Sequence, residues 1–201
     1  FYYFHFENIF LKYFVSWLCI MLFLNSINLY DGANGQLPVY VIFILTFFIY
    51  ENIFSLLSIL ILIVVIFFSY YNLKGKIFFG DNGSFLIGFL ISYMIIANNI
   101  TPNYISGEKI FLLMFLPGMD MLRLFIERLI NKKNPFTADN FHIHHLMIRK
   151  FSTKERITFN ILFYFIPLFL SYYLNSLLIL ILLIFFYLIF IYKHLGHKLK
   201  K

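Results

Sequence analysis

Residues 53–70 read IFSLLSILILIVVIFFSY, eighteen consecutive positions without a charge. As an α-helix, such a run rises about 27 Å. That is close to the hydrocarbon thickness of a bilayer, which asks for roughly 20 apolar residues. Immediately before it stands Glu51-Asn52, the one strong polar break between residues 37 and 70. The break predicts a tight turn between two helices. The other reading, one long span over a buried Glu51, would isolate a carboxylate in hydrocarbon at high cost.

Working outward, six more apolar segments follow the same pattern, at about 10–27, 37–50, 84–97, 109–126, 158–174 and 176–192. The composition agrees. Of 201 residues, 62% are hydrophobic and 12% charged, with 29 Phe and 15 Tyr, and the mean hydropathy is +0.85. A water-soluble chain of this length could not bury that much apolar surface. A soluble enzyme, a disordered protein and a coiled coil are excluded. The expected class is an all-α, polytopic transmembrane helical bundle of about seven spans, forming one domain over 1–201. The first residue is Phe1, and no basic n-region precedes the first apolar run. A signal peptide is not expected, and the natural N-terminus is expected to lie upstream. The single cysteine, Cys19, lies in an apolar segment and reads as a small buried hydrophobe.

Charge gives the segments a direction. With alternating spans, one side collects 28–36, 71–83, 127–157 and the tail from 193. On or next to that side fall 14 of the 16 Lys and Arg; only Lys12 and Lys109 lie near the other. The positive-inside rule makes the rich side cytoplasmic. The net charge of +7 is then a topology signal, and no nucleic-acid partner is needed to explain it. The same basic face attracts anionic lipids and phosphorylated substrates.

Four polar clusters gather on that side. The first, NSINLYDGANG at 25–35, closes the first span, with Asn25, Asn28 and Asp31 at helical spacing. It reads either as a helix end with a turn or as a set of ligand-binding groups. The second, FGDNGS at 79–84, opens the fourth span. Its glycine turn, carboxylate and helix N-terminus can hold a phosphate together with Mg²⁺ on Asp81, or can simply cap the helix. The third, PGMDMLR at 117–123, places Asp120, Arg123 and Glu127 where they can pair along one face. Pro117 predicts a kink just before them. Arg128, one turn on, could face an anionic substrate. The fourth, NPFTADNFHIHH at 134–145, carries His142, His144 and His145. No cysteine or zinc-type ligand spacing accompanies them, and imidazoles beside phosphate-binding carboxylates suit a diphosphate. Together the four suggest a Mg²⁺-dependent site for a phosphorylated, partly lipid-embedded substrate.

The series NSINLYDGANG, FFGDNGS, PGMDMLRLFIERL and PFTADNFHIHHL resembles, in order and spacing, the polyprenyl-phosphate N-acetylhexosamine-1-phosphate transferase family. The resemblance runs from Asn25 to Leu146 and is closest to the N-acetylglucosamine branch, through its His-x-His-His form. It implies transfer of a sugar phosphate from a UDP-N-acetylhexosamine to polyprenyl (undecaprenyl) phosphate, releasing UMP, at the cytoplasmic face of a bacterial inner membrane. This would begin synthesis of a cell-envelope polysaccharide such as lipopolysaccharide O-antigen. It implies catalytic roles for Asp31 and Asp81, with Asp81 a Mg²⁺ ligand. Asn28, Arg128, His142, His144 and His145 are implied substrate-binding residues. Two departures stand out. Asn140 occupies a position where arginine is common, and the family's adjacent aspartate pair occurs nowhere in the chain. The family has ten or eleven spans, so the resemblance implies a C-terminal part lacking about four helices, inactive as it stands. The rival classes are a transporter or flippase, which should show paired repeats and charges near the midplane, and a non-catalytic membrane subunit, which leaves the four clusters unexplained.

Overall fold

The computed structural model describes residues 9–98, 105–135 and 141–195. Among them every regular element is an α-helix: α1 Ile9–Tyr30, α2 Gln36–Tyr50, α3 Ser55–Leu73, α4 Gly80–Asn98, α5 Gly107–Leu113, α6 Phe115–Ile130, α7 Ile143–Lys150, α8 Thr153–Leu170 and α9 Ser176–Leu195. The chain is a polytopic helical membrane protein. Within the described residues four helices have the length and apolarity to cross a bilayer: α1, α3, α4 and the Ser176–Lys193 part of α9.

The other three expected spans are realised differently. The helix α2 is apolar but only 15 residues long. The segment expected at 109–126 is divided at Met114 into α5 and α6. Pro117 explains the division, because it has no N–H for the Leu113 carbonyl and its ring crowds that group. The ladder therefore breaks one turn before the proline, between the two residues. The helix α8 begins earlier than expected and carries Lys154, Glu155 and Arg156 in its opening turn, behind a capping box of Ser152 and Glu155. The loop expected over 127–157 is itself partly helical, containing the end of α6, the whole of α7 and the start of α8.

The helix α2 lies at the centre. Tyr40, Val41, Ile44, Leu45 and Phe48 are fully enclosed, with α3 on one side and α8 on another. By contrast α3 turns Leu56, Leu60, Ile63, Val64 and Phe67 outward. Cys19 on α1, expected to be buried, is likewise exposed. Such an apolar exterior is what a bilayer selects, since lipid tails solvate it as well as a protein core would. Association inside the bilayer therefore rests on close contact and buried polar bonds. Gly88 supplies the first: a Cβ there would stand 3.0 Å from Leu24 Cδ2, so its absence lets α4 settle against α1. Tyr30 supplies the second, donating to Asn160 Oδ1 at 3.2 Å and tying α1 to α8.

The predicted turn at Glu51-Asn52 is present. Glu51 caps α2, Asn52 and Phe54 take left-handed conformations (φ 59° and 43°), and α3 starts at Ser55. Glu51 accepts from Lys109 Nζ at 3.1 Å and from the Tyr172 hydroxyl, while Lys109 Nζ lies 3.9 Å from the centre of the Tyr172 ring. The α2–α3 turn, the start of α5 and the α8–α9 turn are thus joined at one end of the bundle. The described residues of the four motifs meet at the other end.

Candidate functional site

Close packing of α1 on α4 brings the first two motifs together. The Asn28 amide donates to Asp81 Oδ1 and to Ser84 Oγ, both at 3.0 Å. Ser84 Oγ in turn donates to the Asp81 carbonyl at 3.1 Å. Asn28, Asp31, Gly32, Asn72, Gly80 and Asp81 line a pocket of about 310 Å³ between the end of α1 and the start of α4. Asn25, which shares the helical face of Asn28, does not join them; its amide turns back to the Met21 carbonyl at 2.8 Å.

The pocket holds two neighbouring carboxylates. Burial, and then the charge of Asp81, raise the Asp31 carboxyl to about 6, although a backbone bond from Gly80 acts against both. A cation between them would relieve this repulsion. Among the described residues no group of three or more His, Cys, Asp or Glu gathers as a metal site. Two carboxylates with open space beside them nevertheless suit Mg²⁺. That ion is commonly held by one or two carboxylates, waters and substrate phosphates, and it prefers oxygen.

Asn72 was not foreseen as part of the site. It is 2% exposed, accepts from the Gly35 N–H at 2.7 Å and donates to the Ile77 carbonyl at 2.9 Å. One side chain therefore clamps the loop after α1 to the loop before α4. The available signal was its own position, a lone amide at the end of the otherwise apolar α3.

The histidine segment reaches the same place from the other direction. The His144 ring rests on Gly32, where an added Cβ would lie 2.2 Å from His144 Nε2. His144 is buried, and its Nδ1 has no hydrogen-bond partner among the described residues. Burial, then the nearby His145 and His142, lower its pKa to about 4, so it is neutral at pH 7. The His142 and His144 rings are nearly parallel at 5.5 Å, and His145 lies 4.1 Å from His144.

The third motif holds this segment from below. His142 Nδ1 lies 2.9 Å from Asp120 Oδ2, and the Ile143 N–H reaches both Asp120 oxygens at 3.1 Å. Asp120 and Arg123 pair at 2.8 Å, and Arg123 and Glu127 at 3.0 Å, as their spacing predicts. Arg128 is not brought to the pocket; its Nη1 donates to the Pro135 carbonyl at 2.6 Å. Asp139 and Asn140 lie outside the described residues.

The family model for glycosyl transferase family 4 matches residues 2–99. The chain is also similar to proteins named undecaprenyl-phosphate alpha-N-acetylglucosaminyl 1-phosphate transferase. The one from Thermotoga maritima is 30% identical over 141 residues, covering 69% of this chain and 43% of that protein. The one from Pasteurella multocida is 33% identical over 87 residues, 43% of this chain and 24% of that protein. The one from Escherichia coli K12 is 34% identical over 82 residues, 40% of this chain and 22% of that protein. The matches thus span less than half the length of these relatives. No solved structure matches the chain at a significant level. The family match takes in α1 to α4, the helices whose ends carry Asn28, Asp31, Asn72 and Asp81, so over residues 2–99 the chain is similar to glycosyl transferase family 4.

Proposed function

We propose that the pocket transfers N-acetylhexosamine-1-phosphate from a UDP-sugar to polyprenyl (undecaprenyl) phosphate, releasing UMP, and so begins a cell-envelope polysaccharide. The observation that carries this reading is the meeting of Asp31 and Asp81 at one pocket, with His144 resting on Gly32 beside it. The names of the relatives support the acceptor lipid and the N-acetylglucosamine phosphate.

Asp31 and Asp81 would hold Mg²⁺. When bound, this ion neutralises the donor diphosphate and makes UMP a better leaving group. The chain's own residues do the rest. Asn28 holds the Asp81 carboxylate in place through its amide. His144, neutral and with a nitrogen that has no partner among the described residues, offers a hydrogen bond to a diphosphate or sugar oxygen. An acceptor phosphate oxygen attacks the phosphorus that carries the sugar. The new P–O bond forms as the bond to UMP breaks, and the lipid phosphate, having gained the sugar phosphate, becomes a lipid-linked diphosphate sugar. The acceptor's tail stays in the bilayer while its phosphate reaches the pocket at the membrane surface. The excess of Lys and Arg in the loops at this end supports a cytoplasmic location for the chemistry.

The test is UMP release by bacterial inner membranes containing the full-length protein, supplied with undecaprenyl phosphate, Mg²⁺ and UDP-N-acetylglucosamine. Release that requires both lipid and Mg²⁺ and disappears in Asp81→Asn is the expected result. Absence of release from folded protein with every UDP-N-acetylhexosamine would reject the reading.

A further inference from the structure

The buried carboxylate of Asp120 does more than pair with its helix neighbour. It is 4% exposed and is the centre of a network drawn from three separate parts of the chain. Arg123 Nη2 donates to its Oδ1 at 2.8 Å and to the Phe141 carbonyl at 2.8 Å. Arg123 Nε reaches the Tyr187 hydroxyl on α9 at 3.2 Å, and that hydroxyl lies 3.4 Å from Asp120 Oδ1. The remaining lone pairs of Asp120 meet His142 Nδ1 and the first N–H of α7. The carboxylate is therefore surrounded by donors, and a histidine nitrogen facing it must carry the hydrogen. That assigns the donor: Nδ1–H points to Asp120, and in the neutral ring Nε2 keeps the lone pair.

We propose that Asp120 is a positioning residue for the histidine segment, fixing the tautomer of His142 and the start of α7 so that the stacked imidazoles stand over the Asp31-Gly32 loop. The consequence for chemistry rests on the transferase reading: His142 presents an acceptor nitrogen, and its neighbour His144 is held on Gly32 at a set height. Tyr187 and Arg123 serve by holding Asp120 itself. This second layer extends the site into α9, a helix whose sequence shows nothing but apolar residues around that tyrosine.

Asp120→Asn is the informative change, since it keeps shape but replaces one oxygen by an N–H₂ group. Arg123 and the α7 N–H demand the remaining oxygen, so the amide hydrogens must face His142 and drive it to the Nε2–H form. In ¹⁵N-histidine spectra of the full-length protein in lipid nanodiscs, the wild-type His142 signal, identified by its loss in His142→Gln, is expected as Nδ1–H. Asp120→Asn should switch it, lower kcat/KM about 10-fold to 100-fold, and add no further loss when combined with His142→Gln, because the two act as a unit. An Nε2–H tautomer in wild-type protein, unchanged kcat/KM in Asp120→Asn, or a double variant showing the product of the two single losses would each overturn the proposal. If Asp120→Asn fails to fold, the wild-type tautomer alone decides. If the wild-type protein releases no UMP, the transferase reading falls while the spectra still judge Asp120.

Discussion

The two ends of this bundle both hold charge, and they treat it in opposite ways. At one end Glu51 is answered completely. Lys109 pairs with it, Tyr172 donates to it, and the lysine lies over the tyrosine ring. At the other end Asp31 is beside a second carboxylate, and the buried His144 has a nitrogen with no partner among the described residues. A polar group in a membrane protein that is fully satisfied by its neighbours acts through them, by holding the fold or positioning another side chain. One that stays unsatisfied costs stability, and it is retained where a ligand completes it.

Matching substitutions at the two ends would break or sharpen this contrast. The largest effect is expected from Asp81→Asn, which removes one of the two carboxylates. Turnover should fall by about 1000-fold or more, a loss on the scale of removing a key electrostatic group from an active site. UMP release at saturating Mg²⁺ measures it, and near-normal turnover would end the assignment of Asp81.

Next comes Gly32→Ala. The added methyl would meet His144 Nε2 at 2.2 Å, so the ring or the loop must move. A displacement of about 1 Å at a reacting site costs on the order of 100-fold in rate. The combination Gly32→Ala with His144→Gly should recover part of the accompanying loss of thermal stability by restoring space. No rise in thermal midpoint over Gly32→Ala alone would separate Gly32 from His144.

A third test uses pH and stability. His144 in the folded protein has a pKa of about 4, below its ordinary 6.5, so the unfolded chain takes up its proton first on acidification. Its contribution is intact above pH 6.5 and is lost as pH falls toward 4. Asp31 has the reverse sign. Its carboxyl is raised from 3.8 to about 6, so acidification through that window relieves strain in the folded state. Thermal midpoints at pH 7 and pH 4.5 should therefore fall less in His144→Gln than in wild type, and more in Asp31→Asn. Identical slopes in all three would show that neither group feels the pocket as described.

The smallest effect belongs to the other end. Glu51→Gln keeps one acceptor for Lys109 and Tyr172, and partly exposed ion pairs contribute less than about 1 kcal/mol. Thermal stability should drop slightly and turnover should be unchanged. A large loss of turnover there would erase the contrast between the two ends.

The helical class was legible because it follows from hydropathy, which is a property of each segment by itself. The turn at Glu51-Asn52 was legible for the same reason. The number of full spans was less so: α2 is short, and the break at Met114 follows from what Pro117 does one turn upstream. At the site, Asn28, Asp31 and Asp81 stood out as motifs and meet at one pocket. Arg128 did not follow them there, because the helix face that carries it points toward the Pro135 loop. Asn72 and Tyr187 gave little warning, since each is one polar atom in an apolar helix and its partner lies far away along the chain.

What this sequence determines alone is therefore local and additive: apolar length makes helices and turn residues end them. What needed the tertiary structure is every pairing across distance. Asn28 meets Asp81 over 53 residues, and Asp120 meets His142 over 22 and Tyr187 over 67. Those meetings depend on which helix faces pack together, and within a bilayer hydrophobicity cannot choose among faces that are all apolar. Close contact at glycines and buried hydrogen bonds make that choice, and they exist only once the helices have come together.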